Sequence, residues 1–376
     1  MMDEKLFYIY VAFFGNLSIL LLFFLNFIKK FKYKYFLSCM LLFNLAFIIS
    51  LRDKDVALDT SQYVFLFQSG DYNIFFNEHV YDTGYIILNL FINLFTSNYN
   101  IFLFLMSFMH ILIIFYFYKN FSKKYFPIFM MMYISTFTFW LSNLSMLRQG
   151  LAIPIFAIAI YYLIFKEKKI KFLIFSCIAG SIHYTAFFLS LFYFFIYFIY
   201  KKIPTYFLKL LLIIEIILVI YPKNLFIDII MNILKLLPSN NSTINKILWY
   251  FNWNKLEIWH VKHVYFLVLI MFFVIILLER NKKFMLLISL PVSLLAFLKY
   301  DEMVTDRLFM YFVPYIPLVL FELMQIIQKK YINQENTKYF NFIIMIIFIG
   351  TFVWFNVKFL YLQYSGWFIY PYSSVH

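Results

Sequence analysis

Four arginines are the residues of this chain best suited to bind an anion. They are Arg52, Arg148, Arg280 and Arg307, and the other 28 of the 32 basic residues are lysines. The planar guanidinium holds its N–H donors in a fixed fork that fits phosphate or carboxylate oxygens, whereas the ammonium of lysine is a compact point charge. Arginines kept in a lysine-rich chain therefore predict a site for a phosphate-bearing molecule.

Carboxylates and one histidine are the groups that could move a proton beside these arginines. The stretch from Arg52 to Tyr85 carries the acids Asp53, Asp55, Asp59, Asp71, Glu78 and Asp82. His183 lies near the end of a later apolar run. Ionisable residues at a membrane edge are costly to bury and are functional candidates for that reason. The two cysteines, Cys39 and Cys177, predict neither a disulfide framework nor a metal site.

Apolar helices must position these residues. The chain is 64% hydrophobic, and its mean hydropathy is +0.83. Its apolar runs are long enough to cross a bilayer core of about 30 Å. We predict an all-α polytopic membrane protein with about 12 transmembrane helices (about 10–14), packed in one bundle as a single domain over residues 1–376. The expected spans are 6–28, 35–51, 100–118, 126–141, 148–165, 172–186, 187–200, 206–221, 261–278, 284–298, 308–326 and 339–362.

The distribution of lysine predicts the orientation. If the N-terminus is outside, the lysine-rich loops at 29–34, 119–124 and 166–171 all fall on the inner side, as expected for cytoplasmic loops. This layout places the C-terminus outside as well. It brings Arg148, His183 and Arg307 to the outer ends of their spans. It also requires a re-entrant or interfacial helix at 85–97, because that segment is too short to cross.

Two long outer loops follow from this layout, at 52–84 and 222–260. The first holds the acidic motif. The second begins with an amphipathic segment at 223–237, which predicts a helix lying in the membrane interface. Its aromatic stretch at 249–253 has two interpretations. An interfacial aromatic belt is favoured, and a stacking surface for sugar rings is the alternative.

Several segments resemble the EpsG and Wzy-type polysaccharide repeat-unit polymerases. Residues 145–152, SMLRQGLA, resemble the S-x-x-R-Q-x-L-A segment of that family, and residues 178–186, IAGSIHYTA, are similar to its I-A-x-x-x-H-x-[ST]-A helix. Residues 59–63 and 82–85 resemble its D-x-x-x-Y and E-x-G-[FY] elements, with an aspartate where the family usually has glutamate. Arg307 resembles a late R-[LF] position. The resemblance covers about Arg52 to Phe188, and the remainder only by hydropathy.

The resemblance implies a membrane-embedded glycosyltransferase at the outer face of the bacterial inner membrane. Such an enzyme transfers a growing glycan from undecaprenyl diphosphate to the sugar of an incoming lipid-linked repeat unit, and the lipid diphosphate leaves. The donor is already activated, so we expect no cofactor and no metal. The expected partners are the lipid-linked oligosaccharide as donor and acceptor, the lipid bilayer and a chain-length regulator protein, with no nucleic acid.

The same resemblance suggests roles for individual residues. A leaving diphosphate needs cationic donors that do not titrate, and the acceptor hydroxyl needs a positioned base or a strong hydrogen-bond acceptor. Either Asp59 or Asp82 is the expected acid, and His183 is a hydrogen-bonding or proton-handling residue. The expected contacts to diphosphate or sugar are Arg148, Gln149, Arg307 and Tyr63.

Other functions and local roles stay open at this point. A flippase for lipid-linked oligosaccharides would also use arginines, but it predicts charges near mid-span and two similar halves, whereas here the charges gather at one face. An O-antigen ligase-like transferase shares the donor chemistry. Arg307 could form a local ion pair with Asp306, and Arg52 could neutralise Asp53 and Asp55.

Overall fold

The computed structural model shows an all-helical protein over the residues it describes, which are 4–54, 56–57, 59–69, 82–220, 283–287, 291, 307–331, 345–350, 352–353 and 356. No β-strand occurs among these residues, so the all-α prediction is confirmed there. The helices named below are α1 Glu4–Leu25, α2 Phe31–Ser50, α3 Thr60–Ser69, α4 Thr83–Asn93, α5 Tyr99–Phe121, α6 Phe126–Ile134, α7 Phe137–Leu144, α8 Leu147–Ile164, α9 Lys169–Ile182, α10 Tyr184–Lys202, α11 Thr205–Ile220 and α12 Ile316–Tyr331, with a 3₁₀ helix at Met310–Tyr315 before α12.

In the part of the chain that the structure describes, three helices have the length and apolar composition to cross a membrane. They are α2, α5 and α8, with 20, 23 and 18 residues. At 1.5 Å per residue, each is about 27–35 Å long, which matches the hydrocarbon core. Shorter apolar helices are found at Ile9–Leu25, Thr83–Asn93, Tyr184–Ile199 and Thr205–Ile214. These findings indicate a helical membrane protein, and the count of twelve spans stays a prediction.

Parts of that layout lie outside the described residues. They include the expected span at 261–278, most of those at 284–298 and 339–362, and the whole second outer loop at 222–260. The short helix α3, with 10 residues, lies in the first outer loop, and α4, with 11 residues, covers most of the segment at 85–97. Their entry into the membrane, or their position along its surface, stays a prediction.

The chain forms two compact units. The first unit comprises residues 1–162, 168–190 and 334–376, and the second comprises 163–167 and 191–333. In the first unit, α5 packs along α2, and α1 packs along α2 and α6. Aromatic rings fill these contacts, as where Phe43 meets Phe104 and Phe108 at ring-centroid distances of 5.2 and 5.7 Å. Because lipid is as apolar as these side chains, close packing rather than escape from water favours such contacts within a membrane.

One predicted span is interrupted in the structure. The run at 126–141 was expected to be a single helix, but α6 ends at Ile134 and α7 begins at Phe137. Ser135 and Thr136 form hydrogen bonds with backbone groups at this break. The Ser135 hydroxyl donates to the Met132 carbonyl at 2.8 Å, and the Thr136 hydroxyl accepts from the Phe139 N–H at 3.3 Å. Hydropathy misses this break because apolar residues continue on both sides of it.

A second break separates α9 from α10. Two spans were expected to meet at residues 186 and 187, and the structure instead ends α9 at Ile182, with His183 in an extended conformation. Gly180 lies against α10, because a Cβ added at Gly180 would come 2.6 Å from the Cβ of Phe187. A larger residue at position 180 would therefore push the two helices apart.

The second unit includes an ion-pair cluster of Glu167, Lys201 and Lys283, which we call the Glu167 cluster. The ammonium nitrogens of Lys201 and Lys283 lie 3.1 and 3.3 Å from the Glu167 carboxylate. The same unit packs Tyr193 on Phe312, with ring centroids 5.8 Å apart, and the Tyr193 hydroxyl donates to the Leu287 carbonyl.

Candidate functional site

Asp82 forms an ion pair with Arg148, another predicted site residue of the first unit. Asp82 precedes α4 with an extended backbone, but its side chain makes no capping bond to α4. One carboxylate oxygen lies 3.2 Å from Nη1 of Arg148, at the start of α8. The other accepts a hydrogen bond of 3.2 Å from the backbone N–H of Tyr184, at the start of α10. One side chain therefore links the N-terminal ends of three helices.

Two tyrosine rings lie beside the Arg148 guanidinium. Its central carbon lies 6.0 Å from the ring centroids of both Tyr63 and Tyr85, and the Tyr63 hydroxyl is a further hydrogen-bonding neighbour. The two rings meet edge to face, with centroids 5.7 Å apart. Asp82, Arg148, Tyr63 and Tyr85 are called the Asp82 cluster below. Cation–π contacts and the carboxylate together hold the guanidinium in one orientation.

The ion pair of the Asp82 cluster is largely enclosed but still reachable. The side chains of Arg148 and Asp82 are 23% and 13% exposed. Partial burial strengthens the attraction between the charges, because fewer water molecules screen it. The remaining exposure allows an incoming anion to compete with the carboxylate for the guanidinium.

Helix N-termini add positive potential around Arg148. The helices α4, α8 and α10 all begin beside Asp82. A fourth helix, α3, begins near the start of α8. The hydroxyl of its first residue, Thr60, donates to the carbonyl of Leu144, just before α8, at 2.7 Å. Unpaired N–H groups give a helix N-terminus a partial positive charge. The arrangement therefore favours an anion, and the Asp82 carboxylate supplies one negative charge there.

The close approach of α4 to α9 depends on Gly84. A Cβ added at Gly84 would collide with the side chain of Ser181 and come 2.7 Å from its carbonyl oxygen. Glycine allows this contact, which brings Asp82 to the start of α10. This is a structural reason for the glycine in the segment D-T-G-Y.

A family model matches most of the chain. The model of the EpsG family matches residues 35–374. The chain belongs to the EpsG family. EpsG is a Wzy-like polysaccharide polymerase family. Membership in it implies a membrane polysaccharide polymerase-type function and, in general terms, a glycosyltransferase-like activity. The match extends well beyond the part from Arg52 to Phe188 in which the sequence motifs were found. No curated protein and no solved structure matches the chain.

His183 lies next to the Asp82 cluster of this EpsG-family chain. It sits between α9 and α10, one residue before the N–H that binds Asp82. Its Nδ1 lies 2.7 Å from the Thr185 hydroxyl, and its ring stacks on Tyr184 with centroids 5.6 Å apart. Half-buried and held in this way, the imidazole is near the carboxylate, and its role in proton handling stays a prediction.

The remaining predicted residues occupy different surroundings. Asp59 precedes α3, and its carbonyl accepts a hydrogen bond from the Tyr63 N–H at 3.2 Å. Gln149 follows Arg148 but is only 3% exposed, so it lies inside the helix packing. Arg307 is half-buried in the second unit, shortly before the 3₁₀ helix. The roles of these three residues in substrate binding or catalysis stay predictions.

Sequence reasoning missed the burial of Arg52 and passed over His110 in this family member. Arg52 is 1% exposed, and its Nη1 donates to the Ile49 carbonyl at 2.9 Å, although it was expected in an outer loop beside Asp53. His110 lies inside the candidate span α5 and is 2% exposed. The rule that ionisable residues within a membrane span are functional candidates would have found it.

The described residues contain no group of three or more His, Cys, Asp or Glu side chains arranged to hold a metal ion. A groove of about 780 Å³ follows α1 and α2 and is walled mainly by apolar side chains, such as Phe14, Leu21 and Leu45. None of its lining residues belongs to the Asp82 cluster.

Proposed function

We propose that the protein polymerises undecaprenyl-diphosphate-linked oligosaccharide repeat units at the outer face of the bacterial inner membrane. The growing glycan on one lipid diphosphate is the donor, and a sugar hydroxyl of the incoming lipid-linked unit is the acceptor. The Arg148–Asp82 ion pair, set where helix N-termini meet in an EpsG-family chain, is the observation that carries the proposal.

The bond changes in this reaction balance without a cofactor. The bond between the anomeric carbon of the donor and its diphosphate oxygen breaks, and the diphosphate leaves with the electron pair. A new bond forms between that carbon and the acceptor oxygen, which loses its proton. The leaving group thus gains negative charge while the acceptor needs a proton acceptor, and the Asp82 cluster offers one group for each requirement.

Arg148 stabilises the leaving diphosphate in this proposal. Its fork can take two phosphate oxygens, and it keeps its charge throughout the reaction. Preorganised donors of this kind act on charge that develops in the transition state, and the loss of one costs about 10²–10³ in rate in other enzymes. Arg307 is a second expected phosphate contact on the basis of its residue type.

Asp82 is the favoured proton acceptor. Its negative charge is compensated by Arg148. A bound diphosphate that takes over the guanidinium removes this compensation, so the carboxylate becomes more basic when the donor is in place. Asp59 is the alternative acid, and a chain-length regulator is the expected protein partner.

Deletion of the gene separates the proposed function from its alternatives. Loss of a polymerase should leave single repeat units on the surface lipid. Loss of a flippase would instead remove all surface glycan, and loss of a ligase would leave long polymer on the lipid carrier. Purified protein with a lipid-linked repeat unit as the sole substrate should also produce longer chains, and failure of this reaction would contradict the proposal.

Cysteine labelling tests the proposed orientation. In a Cys39→Ser/Cys177→Ser background, Ser97→Cys should react with a membrane-impermeant thiol reagent applied to intact cells, because Ser97 is exposed in the connection between α4 and α5. Lys168→Cys is the matched control on the other side, since Lys168 is exposed between α8 and α9. Labelling of position 168 but not of position 97 would show that the proposed orientation is inverted.

A further inference from the structure

A proline inside α8 removes a backbone donor close to Arg148. In an α-helix the carbonyl of each residue accepts from the N–H four residues later, and proline has no N–H. Pro154 lies four residues after Gly150 in α8. The Gly150 carbonyl therefore lacks its regular helical donor, two residues away from Arg148.

His110 of α5 supplies a donor to that carbonyl. Its Nδ1 lies 2.8 Å from the Gly150 oxygen. A carbonyl oxygen only accepts, so Nδ1 carries the proton. The other ring nitrogen, Nε2, then has a lone pair, and it lies 3.2 Å from the Tyr133 hydroxyl, which donates to it. A neutral imidazole thus completes a chain of hydrogen bonds from Tyr133 through His110 to Gly150.

The packing around this chain is tight. His110 is 2% exposed, and its ring is parallel to that of Tyr133, with centroids 5.9 Å apart. Gly150 also approaches α7, because a Cβ added at Gly150 would lie 2.9 Å from the backbone carbonyl carbon of Ser142. The first turn of α8 is therefore fixed between α5 and α7.

We infer that His110 is a positioning residue for the reaction: it occupies the carbonyl that Pro154 leaves without a helical donor and thereby fixes the turn of α8 that aims Arg148. The inference rests on the proposed function in so far as Arg148 binds the diphosphate. It explains why a costly polar side chain lies in an apolar helix. Proline frees the backbone acceptor, and histidine from the neighbouring helix satisfies it.

A double-mutant cycle between His110 and Pro154 tests this inference. His110→Phe keeps an aromatic ring but removes the donor, so kcat should fall about 10- to 100-fold, with a smaller change in KM, as expected when a catalytic group is misplaced. Pro154→Ala restores the helical N–H at position 154. The variant His110→Phe/Pro154→Ala should therefore recover most of the lost kcat, while Pro154→Ala alone should stay within about threefold of the wild type.

Two conservative variants sharpen the test. His110→Asn places an amide N–H near the position of Nδ1 and should retain most of the activity. Tyr133→Phe removes only the outer bond and should cost less than His110→Phe. Equal loss of kcat from His110→Phe in the wild-type chain and in the Pro154→Ala variant would overturn the inference, as would full activity of His110→Phe.

Thermal unfolding of the same purified variants measures how much the hydrogen bond from His110 to Gly150 contributes to stability, and it does not require the reaction. His110→Phe should lower Tm in the wild-type chain by clearly more than it does in the Pro154→Ala variant. This coupling would be visible even if the protein made no polymer, so failure of the proposed function and failure of the His110 contact give different results. Absence of coupling in both Tm and kcat would reject the inference.

Discussion

The Asp82 cluster and the Glu167 cluster are built from similar groups at similar distances but differ in burial. The ion-pair distance is 3.2 Å in the Asp82 cluster, and the two distances in the Glu167 cluster are 3.1 and 3.3 Å. The carboxylate of Asp82 is 13% exposed, whereas that of Glu167 is 48% exposed. Exposed ion pairs contribute little because water and salt screen them, whereas partly buried charges act strongly on each other and on an incoming ligand.

The surroundings of the two clusters differ as well. Arg148 lies beside two tyrosine rings and beside helix N-termini, and these N-termini favour an anion. Glu167 follows the C-terminal end of α8, where the helix dipole disfavours a negative charge, and two lysines offset that effect. An ion-pair distance alone therefore does not identify a binding site, and burial and the local field must be considered with it.

Removing the carboxylate charge should have the largest effect in the Asp82 cluster. If Asp82 accepts the acceptor's proton, Asp82→Asn should lower the polymerisation rate by about 10²–10⁴, while Asp82→Glu should retain much of the activity. Glu167→Gln makes the same chemical change in the exposed cluster and should stay within about twofold. The rate of chain extension on a lipid-linked repeat unit measures all three variants.

Asp59→Asn belongs beside these variants. A larger loss from Asp59→Asn than from Asp82→Asn would transfer the role of proton acceptor to Asp59. A loss shared by Glu167→Gln and Asp82→Asn would remove the functional distinction between the two clusters.

Replacing arginine by lysine should have the next largest effect. Arg148→Lys keeps the charge but loses the planar fork, so the rate should fall by about 10²–10³ while the protein still inserts into the membrane. Lys201→Arg is the converse change in the Glu167 cluster and should leave the rate unaltered. A fully active Arg148→Lys enzyme would refute the diphosphate-binding role.

Adding one methyl group at Gly84 should have an intermediate effect. Gly84→Ala forces α4 away from Ser181 and should cost about 1–3 kcal/mol of stability, with a loss of activity as Asp82 moves. Gly350→Ala is the matched control, because nothing lies within 4 Å of a Cβ built there. Unchanged Tm and activity in Gly84→Ala would mean that the contact between α4 and α9 does not position Asp82.

The smallest expected effect concerns the pH dependence of the Glu167 cluster. Hydrogen bonds from Lys201 and then Lys283 lower the pKa of Glu167 below its ordinary value of 4.5. Stabilisation from the cluster is therefore present above pH 4.5 and is lost as the pH falls through the lower pKa of the folded protein. The Tm difference between wild type and Glu167→Gln should be small, decrease with added salt and vanish in acid. A difference that grows on acidification would contradict this assignment.

The Asp82 cluster was partly predictable from the sequence. An apolar chain offers few partners for a charge, so Arg148, Asp82 and Tyr63 were sound candidates, and the structure brings these three together. The role of Tyr85 was not predicted, because its contact with Arg148 depends on how α4 packs. The helix break at Ser135 was also missed, since hydropathy does not register side-chain capping within an apolar run.

The link between His110 and Pro154 shows where sequence reasoning reaches its limit. The position of Pro154 alone shows that the Gly150 carbonyl must find another donor. It does not show which of the neighbouring helices provides that donor, because this depends on packing between residues 40 positions apart. Local rules thus identify the unsatisfied group, and only the tertiary structure identifies its partner.

Among the glycines that the structure describes, Gly84, Gly150 and Gly180 lie where an added Cβ would collide with another segment. The consequence is an uneven tolerance to mutation across the first unit. Exposed apolar positions, such as Phe13 and Phe36, should accept many apolar replacements, because acyl chains around them would adapt to the new shape. Under random mutagenesis, surviving clones should carry substitutions at such positions freely, while codons 84, 150 and 180 remain nearly fixed.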